Sequence, residues 1–339
     1  MNPIRVGLMG FGRVGRQIFQ LALGDKRFEV VAISDIGEPE TLHYLLSRML
    51  NKHAAVELTG NYLVWGDRRA RLMPGNHPTE IPWDVFDVDV VVDATGRFRR
   101  YGELLPHLEN GADRVITSAL PDDEIDRVIL SGVNDEEARG GDKVISAGSA
   151  STTATALMLK SILSKWSIEQ ASMTSVHAYT SDQALQDYAG PDIRRSRSGA
   201  ENIIPNSTPA KKWVQRALPA VADRFSAYAL NVPVQVGSML DLTVVLEESG
   251  VEVNAINDLF ELIAAEQDRF LQVTRDPIVS SDVRGTSQSL IVDLDASMKA
   301  GTNMFKLIGW HETLGHAQRI LDVASLYADL DREPVAEAS

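Results

Sequence analysis

The feature that most constrains the fold is a glycine-rich turn between an apolar segment and a helical pattern. An apolar run over residues 4–9 leads into Gly10-Phe11-Gly12-Arg13-Val14-Gly15, and a second apolar run ends at Asp35, 20 residues after Gly15. Such glycines let a pyrophosphate approach the backbone at a helix N-terminus, and the later carboxylate accepts hydrogen bonds from ribose hydroxyls. The pattern predicts a dinucleotide site. The acidic residue favours NAD over NADP, because it repels a 2′-phosphate.

The strand and helix patterns change along the chain, and this predicts the domain organisation. Strands and helices alternate over residues 1–150, which indicates an α/β domain of the Rossmann type with a doubly wound parallel sheet. Strand patterns over 232–247, 289–293 and 303–310, with a helix over 257–270, favour an α+β catalytic-type domain with a mixed, largely antiparallel sheet. We predict domains over 1–150 and 151–316, and a C-terminal helix over 317–339 that packs back on the first domain.

A stretch of small hydroxyl residues follows a short strand at residues 143–146 and leads into a helical pattern over 153–165. Ser151 would lie among unpaired backbone N–H groups at the positive end of the helix dipole, where an oxyanion or a nucleophile is favoured. The alternative is an ordinary Ser/Thr N-cap. Downstream, His177 is the only side chain that titrates near neutral pH in a strand pattern over 173–180. Residues 182–211 then form a long polar segment, a length that usually indicates function or an interface.

Composition excludes several classes of chemistry. The chain has no cysteine, which excludes disulfides, thiolate metal sites and thioester mechanisms. Its seven histidines show no strong metal-ligand spacing. The net charge of −14 opposes binding to nucleic acid or to an anionic membrane. No apolar run approaches the roughly 20 residues of a membrane span and no signal peptide is evident, so we expect a cytoplasmic location.

In combination, these motifs resemble the glyceraldehyde-3-phosphate dehydrogenase family across nearly the whole chain. The residues that carry the resemblance are 10–16, Asp35, Ala94-Thr95-Gly96, Ser118-Ala119, Ser151-Thr152-Thr153, Val176-His177-Ala178-Tyr179-Thr180, Arg197 with Glu201-Asn202-Ile203-Ile204-Pro205, and Asp241-Leu242-Thr243. The resemblance implies an NAD-dependent enzyme that acts on a small molecule and assembles as a homo-oligomer, a tetramer or a dimer. It also implies that the segment 182–211 packs near the cofactor of a neighbouring subunit.

The resemblance assigns roles to individual residues. Catalytic roles fall on Ser151 and His177. Cofactor-binding roles fall on Gly10, Phe11, Gly12, Arg13, Val14, Asp35, Thr95, Gly96, Ser118 and Thr313. Substrate-binding roles fall on Thr152, Thr180, Arg197, Thr208 and Asn231.

The departures from the family pattern lie at residues that take part in catalysis or bind the substrate and the cofactor. The family motif Ser-Cys-Thr-Thr-Asn-Cys corresponds to Ala150-Ser151-Thr152-Thr153-Ala154-Thr155, so a serine replaces the nucleophilic cysteine. The Thr-Gly pair that binds inorganic phosphate corresponds to Thr208-Pro209, and the arginine that helps to hold the substrate phosphate corresponds to Asn231. The segment Trp310-His311-Glu312-Thr313-Leu314-Gly315-His316 is one residue shorter than the family pattern, so the asparagine that orients the nicotinamide is displaced or is replaced by Thr313. The sequence therefore indicates a divergent paralogue.

Two functional classes remain open. The first is an NAD-dependent oxidoreductase with altered, non-phosphorylating chemistry or substrate, in which His177 is the general acid and base and Ser151 donates a hydrogen bond. The second is a catalytically inactive NAD-binding regulatory or partner protein with the same fold. Retention of His177 favours the enzyme.

Overall fold

The chain forms two compact units, each built around one sheet. The computed structural model describes residues 2–50, 55–180 and 183–332. The first unit contains the residues up to Gly148 together with those from Ala317 onward, and the second runs from Ser149 to His316. Within the described ranges, no helix has the length and apolarity needed to span a bilayer.

The first unit contains a nine-stranded sheet in the order β3-β4-β5-β2-β1-β6-β7-β9-β8 among the described residues. Its strands are β1 Ile4–Met9, β2 Phe28–Asp35, β3 Glu57–Thr59, β4 Tyr62–Trp65, β5 Arg68–Pro74, β6 Val90–Asp93, β7 Arg114–Thr117, β8 Arg127–Val128 and β9 Val144–Ser146. Its helices are α1 Arg13–Gly24, α2 Pro39–Met49 and α3 Tyr101–Glu109. The strands from β5 to β8 in that order pair in parallel, and β3, β4 and β5 form an antiparallel edge.

Successive residues of the central strands enter two different hydrophobic clusters. Val92 of β6 packs in a cluster with Ile18 of α1, whereas Val91 packs in a cluster with Leu104 of α3. Because neighbouring side chains on a strand point to opposite faces, helices must cover both faces of the sheet. All four residues of β6 are buried, as expected for a central parallel strand. The predicted doubly wound Rossmann-type sheet is therefore confirmed.

The second unit contains a seven-stranded mixed sheet, in the order β11-β12-β10-β13-β16-β15-β14 among the described residues. Its elements are α4 Ala150–Leu163, β10 Ile168–Ala178, β11 Ile204–Asn206, α5 Ala210–Ala217, β12 Phe225–Val232, β13 Ser238–Leu246, α6 Val253–Glu266, β14 Leu271–Thr274, β15 Leu290–Ala300 and β16 Met304–His311. Four of its pairings are antiparallel, and β10/β12 and β14/β15 are parallel. The predicted mixed, largely antiparallel sheet is confirmed.

Several element boundaries differ from those that the sequence predicts. The strand pattern over 232–247 corresponds to β13, which begins only at Ser238 because Pro233 lacks an N–H donor and Gly237 has a positive φ of +77°. Only the first residue of that pattern, Val232, belongs to β12, and the rest of β12 was not predicted. The helix over 257–270 is α6, which begins at Val253 and ends at Glu266. The polar segment 182–211 begins outside the described residues, and its last part contains β11 and the start of α5.

A final helix, α7 Thr313–Arg332, begins in the second unit and continues into the first. Its residues Ile320, Leu321 and Tyr327 join the hydrophobic cluster around β1 and α1. The buried Tyr327 hydroxyl donates a 2.7 Å hydrogen bond to Asp142 Oδ2. Burial and this neighbouring carboxylate raise the pKa of the Tyr327 hydroxyl above its usual range. The helix is thus held to the first unit by apolar packing and by a hydrogen bond to a charged acceptor.

Candidate functional site

Close backbone contacts shape the turn after β1. Gly10 has a φ of +91°, and a Cβ atom there would lie 2.8 Å from the Thr95 nitrogen. A Cβ atom on Gly15 would lie 2.1 Å from the Gly10 carbonyl oxygen. Gly12, the N-cap of α1, would meet nothing within 4 Å and makes no side-chain cap. Gly10 and Gly15 are therefore required by packing, whereas Gly12 leaves an open approach to the N-terminal N–H groups of α1.

Asp35 ends β2 beside this turn, and its carboxylate is fixed by backbone donors. Its Oδ2 accepts a 2.6 Å hydrogen bond from Phe11 N–H, and its Oδ1 accepts a 2.8 Å bond from Gly37 N–H. Each oxygen keeps a further lone pair, and the side chain is only half-buried. The carboxylate is thus oriented, charged and able to accept hydroxyl donors. The residues of this turn fit the diphosphate and ribose of a dinucleotide.

The side chains of the other residues in the turn differ in their burial. The Phe11 ring is fully buried and packs edge-to-face on Phe19 with ring centroids 5.7 Å apart, so it serves the turn mainly through its backbone. Val14 is half-buried against the cluster around β1, and Arg13 is exposed. Of these three side chains, only that of Arg13 is exposed.

Thr95 and Gly96 lie just after β6, where a buried polar network fixes the backbone. Asp93 Oδ1 accepts hydrogen bonds from Thr95 N–H at 3.0 Å and from the Thr95 hydroxyl at 2.6 Å. On its other side, His107 Nε2 lies 3.3 Å from Asp93 Oδ2, and Trp83 Nε1–H donates to His107 Nδ1 at 3.0 Å. Because Trp83 can only donate, His107 Nδ1 is the acceptor and Nε2–H donates to Asp93.

This network is a positioning device that the sequence interpretation missed. Asp93, His107 and Trp83 are all fully buried. Ser118 N–H also binds the Asp93 carbonyl oxygen at 2.9 Å, which places Ser118 next to the same strand end. The sequence signal was an aspartate inside an otherwise apolar strand pattern.

In the second unit, the hydroxyl residues at the start of α4 have different roles: some cap the helix and one does not. Ser149 is the N-cap, and its Oγ accepts a hydrogen bond from Thr152 N–H and donates to Thr152 Oγ1 at 2.8 Å. Thr152, predicted to bind substrate, is fully buried and belongs to this cap. Ser151 is half-buried in the first turn, so the capping role falls on Ser149 and not on Ser151. The helix begins at Ala150, three residues earlier than predicted.

His177 is half-buried near the end of β10, and its tautomer is fixed by a backbone carbonyl. Its Nδ1 lies 2.6 Å from the Ala178 carbonyl oxygen, which can only accept a hydrogen bond. Neutral His177 therefore carries its proton on Nδ1 and has a lone pair on Nε2. This is the tautomer that a general base using Nε2 requires.

A second imidazole, missed by the sequence interpretation, packs against His177. The His311 ring lies 6.1 Å from the His177 ring, centroid to centroid, in an edge-to-face arrangement. His311 is buried, and its Nε2 has no hydrogen-bond partner among the described residues. Burial, and then the charges of His177 and His316, lower the pKa of His311 to about 3. His311 therefore stays neutral near neutral pH.

Of the predicted substrate residues, the structure brings Thr180 and Asn231 together, whereas Arg197 and Thr208 have separate partners. Thr180 and Asn231 meet through Gln183, since the Thr180 N–H and hydroxyl and the Asn231 Nδ2 all donate to Gln183 Oε1. Arg197 is instead exposed and paired with Asp187 at 2.7 Å. Thr208 is half-buried, and its hydroxyl accepts a 3.2 Å bond from Ala210 N–H at the start of α5.

Thr313 begins α7, and its environment differs from that of the other predicted cofactor residues. Its hydroxyl donates to Glu312 Oε1 at 2.7 Å, while Glu312 Oε2 accepts a bond from Leu314 N–H at 2.8 Å. Glu312 is thus the side chain that satisfies the first turn of α7. Thr313 belongs to the second unit, whereas the glycine turn, Asp35, Thr95, Gly96 and Ser118 belong to the first. Within the described ranges, no cluster of three or more histidine, aspartate or glutamate side chains could hold a metal ion.

Comparison with known proteins matches both units. Residues 4–101 match the glyceraldehyde 3-phosphate dehydrogenase NAD binding domain, and residues 149–313 match the glyceraldehyde 3-phosphate dehydrogenase C-terminal domain. The chain is 38% identical to glyceraldehyde-3-phosphate dehydrogenase of Haloarcula vallismortis over 330 residues, with 95% of this chain and 98% of that protein covered. The identities to the enzymes of Mycobacterium leprae and Borreliella burgdorferi are 36% and 35%, with the same coverage of both chains.

The matched NAD binding domain contains the glycine turn and Asp35, whose geometry fits that cofactor. The resemblance inferred from the motifs is confirmed, and so is NAD as the cofactor. The catalytic cysteine of the family is absent, since the chain has no cysteine. The chain belongs to the glyceraldehyde-3-phosphate dehydrogenase family as a divergent paralogue.

Proposed function

We propose that this chain is an NAD-dependent oxidoreductase whose chemistry does not pass through a thioester, such as the reversible interconversion of an alcohol and a carbonyl compound. The observation that carries the proposal is the fixed tautomer of His177, whose Nδ1–H is bound to a carbonyl oxygen and whose Nε2 is left as a base. The absence of cysteine removes the thiolate on which the phosphorylating reaction depends.

In this proposal the protein groups have the following roles. In the oxidation direction, His177 Nε2 accepts the proton of the substrate hydroxyl, and in the reduction direction the imidazolium returns it to the carbonyl oxygen. Ser151, in the first turn of α4, donates a hydrogen bond to the same substrate oxygen. NAD, when bound, supplies the hydride acceptor. The residues assigned to hold it are the glycine turn, Asp35, Thr95, Gly96 and Ser118, together with Thr313.

The alternative function is a catalytically inactive NAD-binding regulatory or partner protein. The loss of the nucleophilic cysteine favours this alternative, and the retained base favours the enzyme. A screen of NAD reduction with aldehydes, alcohols and phosphorylated metabolites separates the two.

We further propose that the protein is a cytoplasmic homo-oligomer, a tetramer or a dimer. The irregular segment 183–203 supports this, because it exposes large apolar side chains, with Leu185 67%, Ile193 88% and Ile203 65% exposed. Contiguous exposed apolar patches mark interaction sites, and we propose that these side chains form such a patch. Cell fractionation tests the location.

The first prediction concerns the proton transfer. His177→Asn should lower turnover of any substrate found in the screen by at least about 10²-fold, the usual size of an acid–base contribution, while NAD affinity is kept. Ser151→Ala should cost less, because it removes one hydrogen bond and no proton carrier. Steady-state kinetics and calorimetry measure both effects. Full turnover by His177→Asn would refute the assignment, and a screen without any substrate would favour the inactive protein.

The second prediction follows from the buried neutral imidazole of His311. Its pKa is depressed in the folded protein to about 3, from an unfolded value of 6.5. The unfolded chain therefore binds a proton below pH 6.5 that the folded chain does not, and the free energy of unfolding should fall by up to about 1.4 kcal/mol per pH unit between these two values. His311→Phe should flatten this decline in urea unfolding experiments, whereas the exposed control His77→Asn should not. Equal slopes for wild type and His311→Phe would contradict the burial argument.

The third prediction concerns cofactor preference. Calorimetric titration should show tighter binding of NAD than of NADP, because the fixed Asp35 carboxylate repels a 2′-phosphate. Asp35→Asn should lower the ratio of the NADP dissociation constant to the NAD dissociation constant by about tenfold. This is the effect of removing one like-charge contact, between the carboxylate and the 2′-phosphate, of roughly 1.4 kcal/mol. It should also weaken NAD binding, since an amide cannot accept both backbone bonds. Asp113→Asn, an exposed change in the same unit, is the control. Equal affinity of the wild type for NAD and NADP would refute this role.

The fourth prediction concerns assembly. Sedimentation velocity should give a mass of two or four chains, and Ile193→Asp should reduce it, because a charge would be placed in an apolar contact. Val85→Asp, a change at another exposed apolar side chain, should leave the mass unchanged. A monomeric wild type would exclude the proposed assembly.

A further inference from the structure

A chain of side-chain amides lies beside His177 in the second unit. Arg195 Nε–H donates to Asn206 Oδ1 at 3.3 Å, and Asn206 Nδ2 donates in turn to Asn231 Oδ1. Asn231 Nδ2 then donates to Gln183 Oε1 at 3.1 Å. The three amide side chains are all buried.

The direction of this chain is fixed at both ends. The guanidinium of Arg195 can only donate, so Asn206 must present its oxygen there. At the other end, the Thr180 backbone N–H donates to Gln183 Oε1 at 2.8 Å and can do nothing else. No amide in the chain can therefore be turned around without placing two donors against each other.

One donor in this chain of amides has no acceptor among the described residues. Gln183 Oε1 accepts from Thr180 and Asn231, whereas Gln183 Nε2 is buried and has no hydrogen-bond partner among the described residues. A buried donor without an acceptor is unfavourable, and a chain of aligned amides polarises its last donor. The Gln183 amide is thus prepared to bind an acceptor oxygen.

The position of the chain connects it to the proposed catalytic base. Asn231 and His177 are direct partners in the parallel register of β12 and β10. Partners in a parallel pair lie on the same face of the sheet, about 4.8 Å apart between strands. A small substrate held at His177 Nε2 would therefore lie within reach of this amide chain.

We propose that Gln183 Nε2 is a specificity-determining donor that binds an uncharged oxygen, a hydroxyl or carbonyl, of a non-phosphorylated hydroxyaldehyde or related alcohol. This inference rests on the proposed function. A phosphate dianion in the same place would be desolvated against neutral amides, because Arg195 Nε is engaged with Asn206 and Arg197 is paired with Asp187. The chain therefore favours a substrate without phosphate.

Binding to the full-length protein in the presence of NAD tests the inference without requiring turnover. The probes are D-glyceraldehyde and glyceraldehyde 3-phosphate, followed by saturation-transfer NMR and calorimetry. We expect D-glyceraldehyde to bind at least about tenfold more tightly, a difference of about 1.4 kcal/mol. Tighter binding of the phosphate ester, or no binding of D-glyceraldehyde at concentrations on the order of 10 mM, would overturn the inference.

A matched pair of variants isolates the donor. Gln183→Glu keeps an acceptor for Thr180 and Asn231 and replaces only the free donor, so D-glyceraldehyde binding should weaken at least about tenfold. Gln215→Glu, which removes an amide donor to the Phe225 carbonyl oxygen elsewhere in the unit, should have no effect. Unchanged binding by a folded Gln183→Glu variant would refute the role of Gln183. If that variant does not fold, the comparison of the two probes on the wild type still decides. Selective binding without NAD reduction would count against the proposed function alone.

Discussion

The structure of the first unit depends on backbone contacts too close to admit side chains. Gly10 N–H binds the Ser34 carbonyl oxygen at 2.8 Å, and Ala94 N–H binds the Met9 carbonyl oxygen at 2.7 Å, so the turns after β1, β2 and β6 are tied together where these parallel strands end. Neither Gly10 nor Gly15 could carry a Cβ atom without moving this backbone. The same contacts bring Asp35 against Phe11 and leave the start of α1 open. One packing constraint therefore produces both the strand ends and the shape of the cofactor turn.

Both units place buried polar groups next to the residues assigned to function. In the first unit, Asp93 is satisfied by Thr95 and His107, and in the second, Asn231 is satisfied by Asn206 and Gln183. Such networks rigidify their surroundings when every member has a partner. The Asp93 network is closed at Trp83, whereas the amide chain ends in a donor that has no partner among the described residues. The first arrangement is suited to holding a backbone turn, and the second is suited to binding a ligand.

Sequence patterns predicted the fold class because hydrophobic periodicity and the glycine turn are local signals. They did not predict β12, which lies before the strand pattern over 232–247 except for its last residue, and its pairing with β10 is a tertiary feature. Motif order made His177 and Asn231 candidate site residues. It could not show that His311 packs on His177 or that Gln183 accepts a hydrogen bond from Asn231. Those contacts join residues 134 and 48 positions apart. The role of Ser149 as the N-cap was equally hidden, because several neighbouring hydroxyls suit a cap.

The fixed direction of the amide chain has a consequence for how this protein could change during evolution. An arginine at position 231 would offer only donors, so Asn206 Nδ2 would lose its acceptor and face a cation. Position 206 would have to change as well, and Gln183 would need a new role at the same time. The effects of substitutions at the three amide positions therefore depend on one another. No single substitution can replace the neutral amide at position 231 by a cation without leaving a buried group unsatisfied.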